Sequence, residues 1–293
     1  MHRPVLLQEA IDGLALRSGD TVVDATLGSG GHSAEILRRD SEVKLITIDA
    51  DPDAVTRGRK RIGKDGRVTF VNDNFRNLTK ILHALGIEKV EKVLFDFGFS
   101  SDQLEASGRG FSFLRNEPLV MTFSGSTSAL TAYEIVNSFP EDDIRVILRK
   151  YGEERFAGRI AKAIVRERRL RRIGTTADLV RVITSALPQS RGKEKIHPAT
   201  RTFQALRIAV NDELSAIEEG IKSAWEALSE EGRIAAISFH SLEDRIVKEL
   251  FRGFKDRGEG EIVTKKPITA SEEEKEANPR ARSAKLRIVK RKA

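Results

Sequence analysis

Three groups of residues have the types and spacing to hold a ligand and act on it. The first is a glycine-rich turn after a short apolar strand, Val22-Val23-Asp24-Ala25-Thr26-Leu27-Gly28-Ser29-Gly30-Gly31-His32. The second is Asp49, which closes the apolar run Leu45-Ile46-Thr47-Ile48. The third is Asp96, which closes Val93-Leu94-Phe95 and opens Asp96-Phe97-Gly98-Phe99-Ser100-Ser101. Strand, glycine turn, helix, strand, acid is how an α/β protein holds an adenosine-containing cofactor. The glycines let the backbone approach the ligand, and an acid ending the next strand accepts hydrogen bonds from two ribose hydroxyls. A glycine turn alone is also an ordinary strand-to-helix connection, so the two acids carry the reading. Asp96 has a second reading, as N-cap of the segment after it.

Details of the turn choose among cofactors. A dinucleotide fingerprint needs glycine at position 33, where Ser33 stands. The turn opens with Asp24, followed by three residues and then Gly28-Ser29-Gly30. This pattern resembles the first motif of S-adenosylmethionine-dependent methyltransferases that modify exocyclic amines. Their second motif is an acid or amide, two prolines and an aromatic; Asp96-Phe97-Gly98-Phe99 keeps the acid and the aromatic without the prolines. A nicotinamide-dependent oxidoreductase is the runner-up, weakened by the missing third glycine and the lack of a catalytic acid or base. With no cysteine, the covalent route to a pyrimidine ring carbon is closed. Direct transfer to an exocyclic nitrogen or a hydroxyl stays open. For an amine acceptor, Asp96 or a carbonyl beside it is the candidate to align the nitrogen, and Phe99 to stack on the splayed base. Phe75 covers the adenine or packs in the core, and Asp73 is an alternative contact to the adenine amine. His32 touches the ligand or caps the first helix. His240-Ser241 and Asp244 superficially suggest a hydrolase triad, but Ser241 and Asp244 read better as a helix-capping pair.

These residues need elements to position them. Apolar runs predict strands over 21–25, 44–49, 68–71 and 90–95, with helices over 32–39, 52–62 and 78–85 between them. The fold class is α/β: a doubly wound, mostly parallel Rossmann-like sheet with ligands at the carboxyl ends of its strands. From 129 to 187 the periodicity is helical only. Then Leu206, Val210, Leu214, Ile217, Ile221, Trp225 and Leu228 share one face of a single long helix, and 234–239 is the next buried strand. An inserted α-helical domain is therefore expected at 109–202, within an α/β domain of 1–108 and 203–293. Residues 259–283 read as loop and 285–290 as a late, edge-type strand.

Charge is localised. The chain has 293 residues and a formal net charge of +7. Between Arg145 and Arg172 stand eleven basic residues against three acidic ones, enough to account for the whole surplus. Arg155, Arg159, Lys162, Arg166 and Arg169 recur every three or four positions and would stripe one helical face, with Phe156, Ile160, Ala163 and Ile164 on the packed face. Such a stripe is a solvated face, a contact for acidic lipid, or, beside a methyl-donor site, a phosphate-binding face for RNA. No apolar run is long enough for a membrane span, the start of the chain lacks a signal peptide's apolar core, and cysteine is absent; the reading is a cytoplasmic protein. The histidines show no metal-ligand spacing, so no metal is expected.

Taken together, His2-Arg3-Pro4-Val5-Leu6-Leu7, Gly28-Ser29-Gly30-Gly31-His32-Ser33, Arg109-Gly110-Phe111-Ser112-Phe113, Tyr151-Gly152-Glu153-Glu154-Arg155-Phe156, His197-Pro198-Ala199-Thr200-Arg201-Thr202-Phe203-Gln204, Ser238-Phe239-His240-Ser241-Leu242-Glu243-Asp244-Arg245 and Asn278-Pro279-Arg280-Ala281-Arg282-Ser283 resemble the ribosomal RNA small subunit methyltransferase H family, nearly end to end. The resemblance implies methyl transfer from S-adenosylmethionine to the exocyclic nitrogen of one decoding-region cytidine, on small-subunit ribosomal RNA or the assembled subunit. By position it implies cofactor contacts at Gly30, Gly31, His32, Asp49, Phe75, Asp96 and Gln103. One block departs: where the family often reads Pro-Leu-Asp-Met-Arg-Met, this chain has Pro118-Leu119-Val120-Met121-Thr122-Phe123. The non-enzyme alternative is an RNA-binding ribosome assembly factor with a vestigial cofactor site.

Overall fold

The computed structural model describes residues 4–98, 107–124, 129–188 and 196–293. The chain divides into two compact units, Met1–Ser100 with Leu214–Ala293, and Ser101–Glu213.

The first unit begins with α1 (Leu7–Leu14), which the sequence reading left unassigned. It then alternates β1 (Thr21–Asp24), α2 (Gly31–Arg39), β2 (Lys44–Asp49), α3 (Pro52–Ile62), β3 (Val68–Asn72), α4 (Leu78–Ala84) and β4 (Val90–Asp96). In the second unit, α5 (Ala132–Ser138), α6 (Glu141–Gly152), α7 (Ala157–Leu170), α8 (Thr176–Ala186) and α9 (Thr200–Asn211) follow. The first unit resumes with α10 (Glu213–Ala227), β5 (Leu228–Ser238), α11 (Ser241–Asp256), β6 (Gly260–Ile262), α12 (Glu272–Ala277) and β7 (Lys285–Arg291).

The seven strands form one sheet in the order β3-β2-β1-β4-β5-β7-β6. Strands β1 to β5 are parallel, and β7 pairs antiparallel with β5 and with β6. Neighbouring residues on a strand serve opposite faces. Val23, Ile46, Val93 and Phe95 pack on one side with Ile81, Ile221, Trp225 and Phe251; Val22, Leu45, Leu94 and Ile288 pack on the other with Ile11 and Ile36. The strand order reverses between β1 and β4, so their carboxyl ends flank the crevice where open α/β sheets bind ligands.

Three expectations change. The long helix is two, α9 and α10, broken at Asp212, whose φ of +47° is left-handed; the apolar periodicity runs through the break and hides it. The helical unit is also wider than 109–202, because α9 buries Phe203, Ala205 and Leu206 in the helical core. Residues 259–283 are not simply loop: they hold β6 and α12, and β6 covers β7, which is therefore not an edge. Short strands and a charged six-residue helix carry too little periodicity to be read.

Candidate active site

The glycine turn is held from three directions. Beyond β1, Ala25 N–H donates to Leu94 O and Leu27 N–H to Ile48 O, each at 2.9 Å, so the ladder continues until the chain leaves the sheet. Asp24 is 1% exposed. Its Oδ2 accepts from Ser33 Oγ at 2.6 Å and its Oδ1 from Thr26 N–H at 3.2 Å. Ser33, where a dinucleotide fingerprint would have glycine, is thus the hydroxyl that ties α2 back to Asp24. Gly30 has φ +75°, a conformation glycine adopts without penalty. The turn is also packed tightly: a Cβ on Gly31 would lie 2.2 Å from Pro4 Cγ, and one on Gly58 of α3 would lie 2.6 Å from Leu27 Cδ2. Pro4 and Gly58 are structural parts of the site that spacing alone did not reveal.

Asp49 stands at the carboxyl end of β2, as expected, and is half-buried. Gly28 N–H donates to its Oδ2 at 2.8 Å and Asp51 N–H to its Oδ1 at 2.9 Å. Each oxygen keeps a lone pair for a further donor. Burial lifts its pKa to about 6, against the pull of those two backbone donors, with the charges of Asp51 and Asp24 adding to the rise.

Asp96 closes β4. Its N–H donates to Thr26 Oγ1 at 2.6 Å, which fixes it against the turn. Its Oδ1 is buried and has no hydrogen-bond partner among the described residues. The side chain is 20% exposed. Burial raises its pKa to about 7; Arg280 pulls it down, and Asp24 and Glu243 push it up. His32, 5% exposed, lies beside it: Nδ1 is 3.8 Å from Asp96 Oδ2, and Nε2 is 3.2 Å from Val5 O. The structure therefore brings Gly30, Gly31, His32, Asp49 and Asp96 around one crevice.

Phe75 follows β3. It is half-buried and sits edge-on to Phe95, with ring centroids 5.6 Å apart, and at 5.9 Å from Phe97. One side of the ring serves the core, so the packing reading holds for that side. Asp73 Oδ1 accepts from Asn74 N–H and from Asn77 Nδ2, shaping the loop that carries Phe75. Phe99 and Gln103 lie outside the described residues. His240 caps α11, its Nδ1 accepting from Glu243 N–H, and Glu243 returns a capping-box bond. Ser241 is thus not the cap, and Asp244 instead pairs with Lys285 and Arg287.

In the helical unit, Arg155, Arg159, Lys162, Arg166 and Arg169 are all exposed, while Ile160, Ala163 and Ile164 are buried. None of the five cations forms an ion pair among the described residues. Their neighbours are engaged: Arg168 donates to Val136 O, Arg172 to Asn137 O, and Arg171 pairs with Asp178. An open groove of about 540 Å³ lies at the start of α7, lined by Arg145, Arg149, Glu153, Glu154, Arg155 and Gly158. Where the departing block replaces the family's charged pair, Thr122 is 7% exposed and its hydroxyl meets Ser124. No helix among the described residues is long and apolar enough to cross a membrane.

The chemistry of this crevice fits S-adenosylmethionine. Three carboxylates (Asp24, Asp49, Asp96) gather there; burial raises the pKa of each, and a cation beside them would favour their ionised forms whereas a pyrophosphate would oppose them. Asp96 Oδ1, buried and without a donor among the described residues, can accept a hydrogen bond from a ligand.

The chain is similar to known proteins over nearly its whole length. The model of the MraW methylase family matches residues 1–292. The "Ribosomal RNA small subunit methyltransferase H" of Sulfurihydrogenibium sp. is 47% identical over 99% of this chain and 99% of its own length. Its namesake in Symbiobacterium thermophilum is 47% identical over 98% of this chain and 96% of its own length. Among solved structures, an rRNA methylase from Streptococcus thermophilus aligns with a TM-score of 0.48 and 12% identity, over 100% of this chain and 99% of that one.

Proposed function

Since the chain belongs to the MraW methylase family, we propose that it transfers the methyl group of S-adenosylmethionine to the exocyclic N4 amine of a cytidine in the decoding region of small-subunit ribosomal RNA. Methylation of small-subunit ribosomal RNA comes with the family and its curated relatives. The cytidine, its N4 amine and the decoding region are our reading.

The observation that carries the amine is Asp96. It ends β4 at the reversal of strand order, with a buried oxygen that has no donor among the described residues. A cytosine amine has its lone pair delocalised into the ring and is a poor nucleophile. It needs alignment, and an acceptor for its N–H that lets the nitrogen rehybridise as it attacks. Asp96 supplies that acceptor. Thr26 holds the Asp96 backbone, so the carboxylate stays in register with the glycine turn. Asp49 takes the ribose hydroxyls with the lone pairs left after Gly28 and Asp51. Gly30, Gly31 and His32 would contact the bound cofactor and Phe75 would cover its adenine, while Gln103 is a cofactor contact that the family resemblance implies. The bound sulfonium supplies a methyl group already activated for transfer, so the protein's task is position. The exposed cations of α7 hold RNA phosphates, and Phe99 stacks on the target base. The absence of cysteine agrees with direct transfer to nitrogen.

The test is calorimetry followed by transfer. S-adenosylmethionine should bind and a reduced nicotinamide cofactor should not. Labelled methyl from the bound donor should then appear in small-subunit ribosomal RNA. Binding of the nicotinamide cofactor alone would overturn the reading.

A further inference from the structure

Two sequence blocks take no part in the cofactor crevice, Arg109–Phe113 and His197–Gln204, and within the helical unit they meet. The Phe113 ring stacks on the His197 imidazole with centroids 4.5 Å apart and planes 11° apart. Phe203 meets Phe113 edge-on at 5.5 Å. Phe203 is 4% exposed, Phe113 is half-buried and His197 is exposed, so this aromatic column runs from core to surface.

His197 is also fixed at its edge. Ala199 N–H donates to its Nδ1 at 3.2 Å, which places the ring proton of the neutral imidazole on Nε2. An exposed imidazole held by a ring on one face and a backbone donor at one nitrogen presents a flat outer face and one N–H at a set position. Its chain neighbour Ile196 is 45% exposed, and Leu114, beside Phe113, is 82% exposed. Capping the start of α9 accounts for the Nδ1 bond. It accounts neither for the parallel stack nor for the exposed aliphatic residues next to Phe113 and His197 in the chain.

We propose that this platform takes an unpaired nucleobase of the RNA substrate, stacked on the outer face of His197. The inference rests on the reading of the protein as a methyltransferase of small-subunit ribosomal RNA. A nucleobase is the occupant because any base has a π-face to lay on an exposed ring, and single-stranded RNA is held by such stacking together with cations that track its phosphates. The same unit carries four exposed cations on α7 (Arg159, Lys162, Arg166 and Arg169) and Arg155 just before it, none of them in an ion pair among the described residues. One ring with two aliphatic neighbours is too small an apolar surface for a stable protein interface.

The experiment uses the full chain and the small-subunit rRNA fragment that it methylates, with 2-aminopurine walked through the unpaired positions. His197→Asn keeps an acceptor for Ala199 N–H and removes the ring; His197→Phe keeps a ring and removes the acceptor. His197→Asn should weaken RNA binding by about 5- to 100-fold, the range for loss of one stacked base. His197→Phe should stay within about threefold of the wild type. Neither should change the salt slope, because stacking releases no counterions. One 2-aminopurine position should be quenched with the wild type and His197→Phe, and not with His197→Asn. Leu114→Ser, at a side chain with no packing role, should weaken binding by about 2- to 5-fold while leaving the melting temperature unchanged. Wild-type affinity and quenching in His197→Asn, or equal losses in both histidine variants, would overturn the platform. A wild type that does not methylate the RNA would instead bring down the proposed function beneath it.

Discussion

Asp49 is bound to the turn it serves: Gly28 N–H donates to its Oδ2 at 2.8 Å across the gap between β1 and β2. The acid proposed to receive the ribose therefore also holds the glycine turn through the turn's backbone. Asp49→Ala should weaken S-adenosylmethionine binding by about 10- to 100-fold, the loss of a charged acceptor and of its anchor together. Unchanged calorimetric affinity in a folded variant would remove Asp49 from the site.

The pH dependence of cofactor binding has a definite sign. In the free protein, burial holds Asp49 near pKa 6 and Asp96 near 7, so both gain protons as pH falls from 7.5 to 5. A cationic ligand and its hydroxyls require the ionised forms. Affinity for S-adenosylmethionine should rise with pH across that window, by up to about tenfold per pH unit for each proton released, and level off above it. Asp96→Asn should remove the part of the rise near pH 7. A flat profile in the wild type would contradict the assignment of these acids.

Asp96 also makes a prediction about the free protein. Its folded pKa lies above its unfolded value, so its favourable contribution is present at low pH and is lost as pH rises through about 7. Asp96→Asn should therefore stabilise the fold at pH 8, by on the order of 3 kcal/mol, and make little difference at pH 4. The same variant should lower single-turnover methyl transfer more than it weakens RNA binding. Equal losses in rate and in cofactor affinity would make Asp96 a cofactor residue only.

The cations of α7 separate by engagement. Arg159, Lys162 and Arg166 are exposed and form no ion pair among the described residues, Arg159 lying over the Phe156 ring, whereas Arg168 donates to Val136 O at 2.9 Å. Replacing the first three with Gln should flatten log affinity for RNA against log salt by about two, leave cofactor affinity unchanged, and preserve helicity. Arg168→Gln should instead lower the melting temperature with little change in that slope. Wild-type affinity and slope in the triple variant would reduce the stripe to a solvated face.

Much of the site was legible because chemistry and periodicity coincide there. Strand β2 and helix α3 match the expected 44–49 and 52–62, since an unbroken apolar run ending in acid, then proline, marks both boundaries. The acids at positions 49 and 96 were visible as strand-ending charges. What escaped was contact between segments distant in sequence. That Gly31 meets Pro4, that Gly58 makes room for Leu27, and that Thr26 receives the Asp96 N–H are facts of packing, and no local spacing encodes them. The break at Asp212 escaped for the opposite reason: the apolar period continues across it, and only a backbone angle records the change.

The most direct measurement of the central claim is a nuclease digest and mass map of small-subunit ribosomal RNA after single turnover with S-adenosylmethionine. The account requires one added methyl group, on N4 of one decoding-region cytidine, with the wild type, and a strongly reduced yield with Asp96→Asn despite bound RNA. A methyl group on a ring carbon or a ribose hydroxyl would contradict it, and so would full yield with Asp96→Asn.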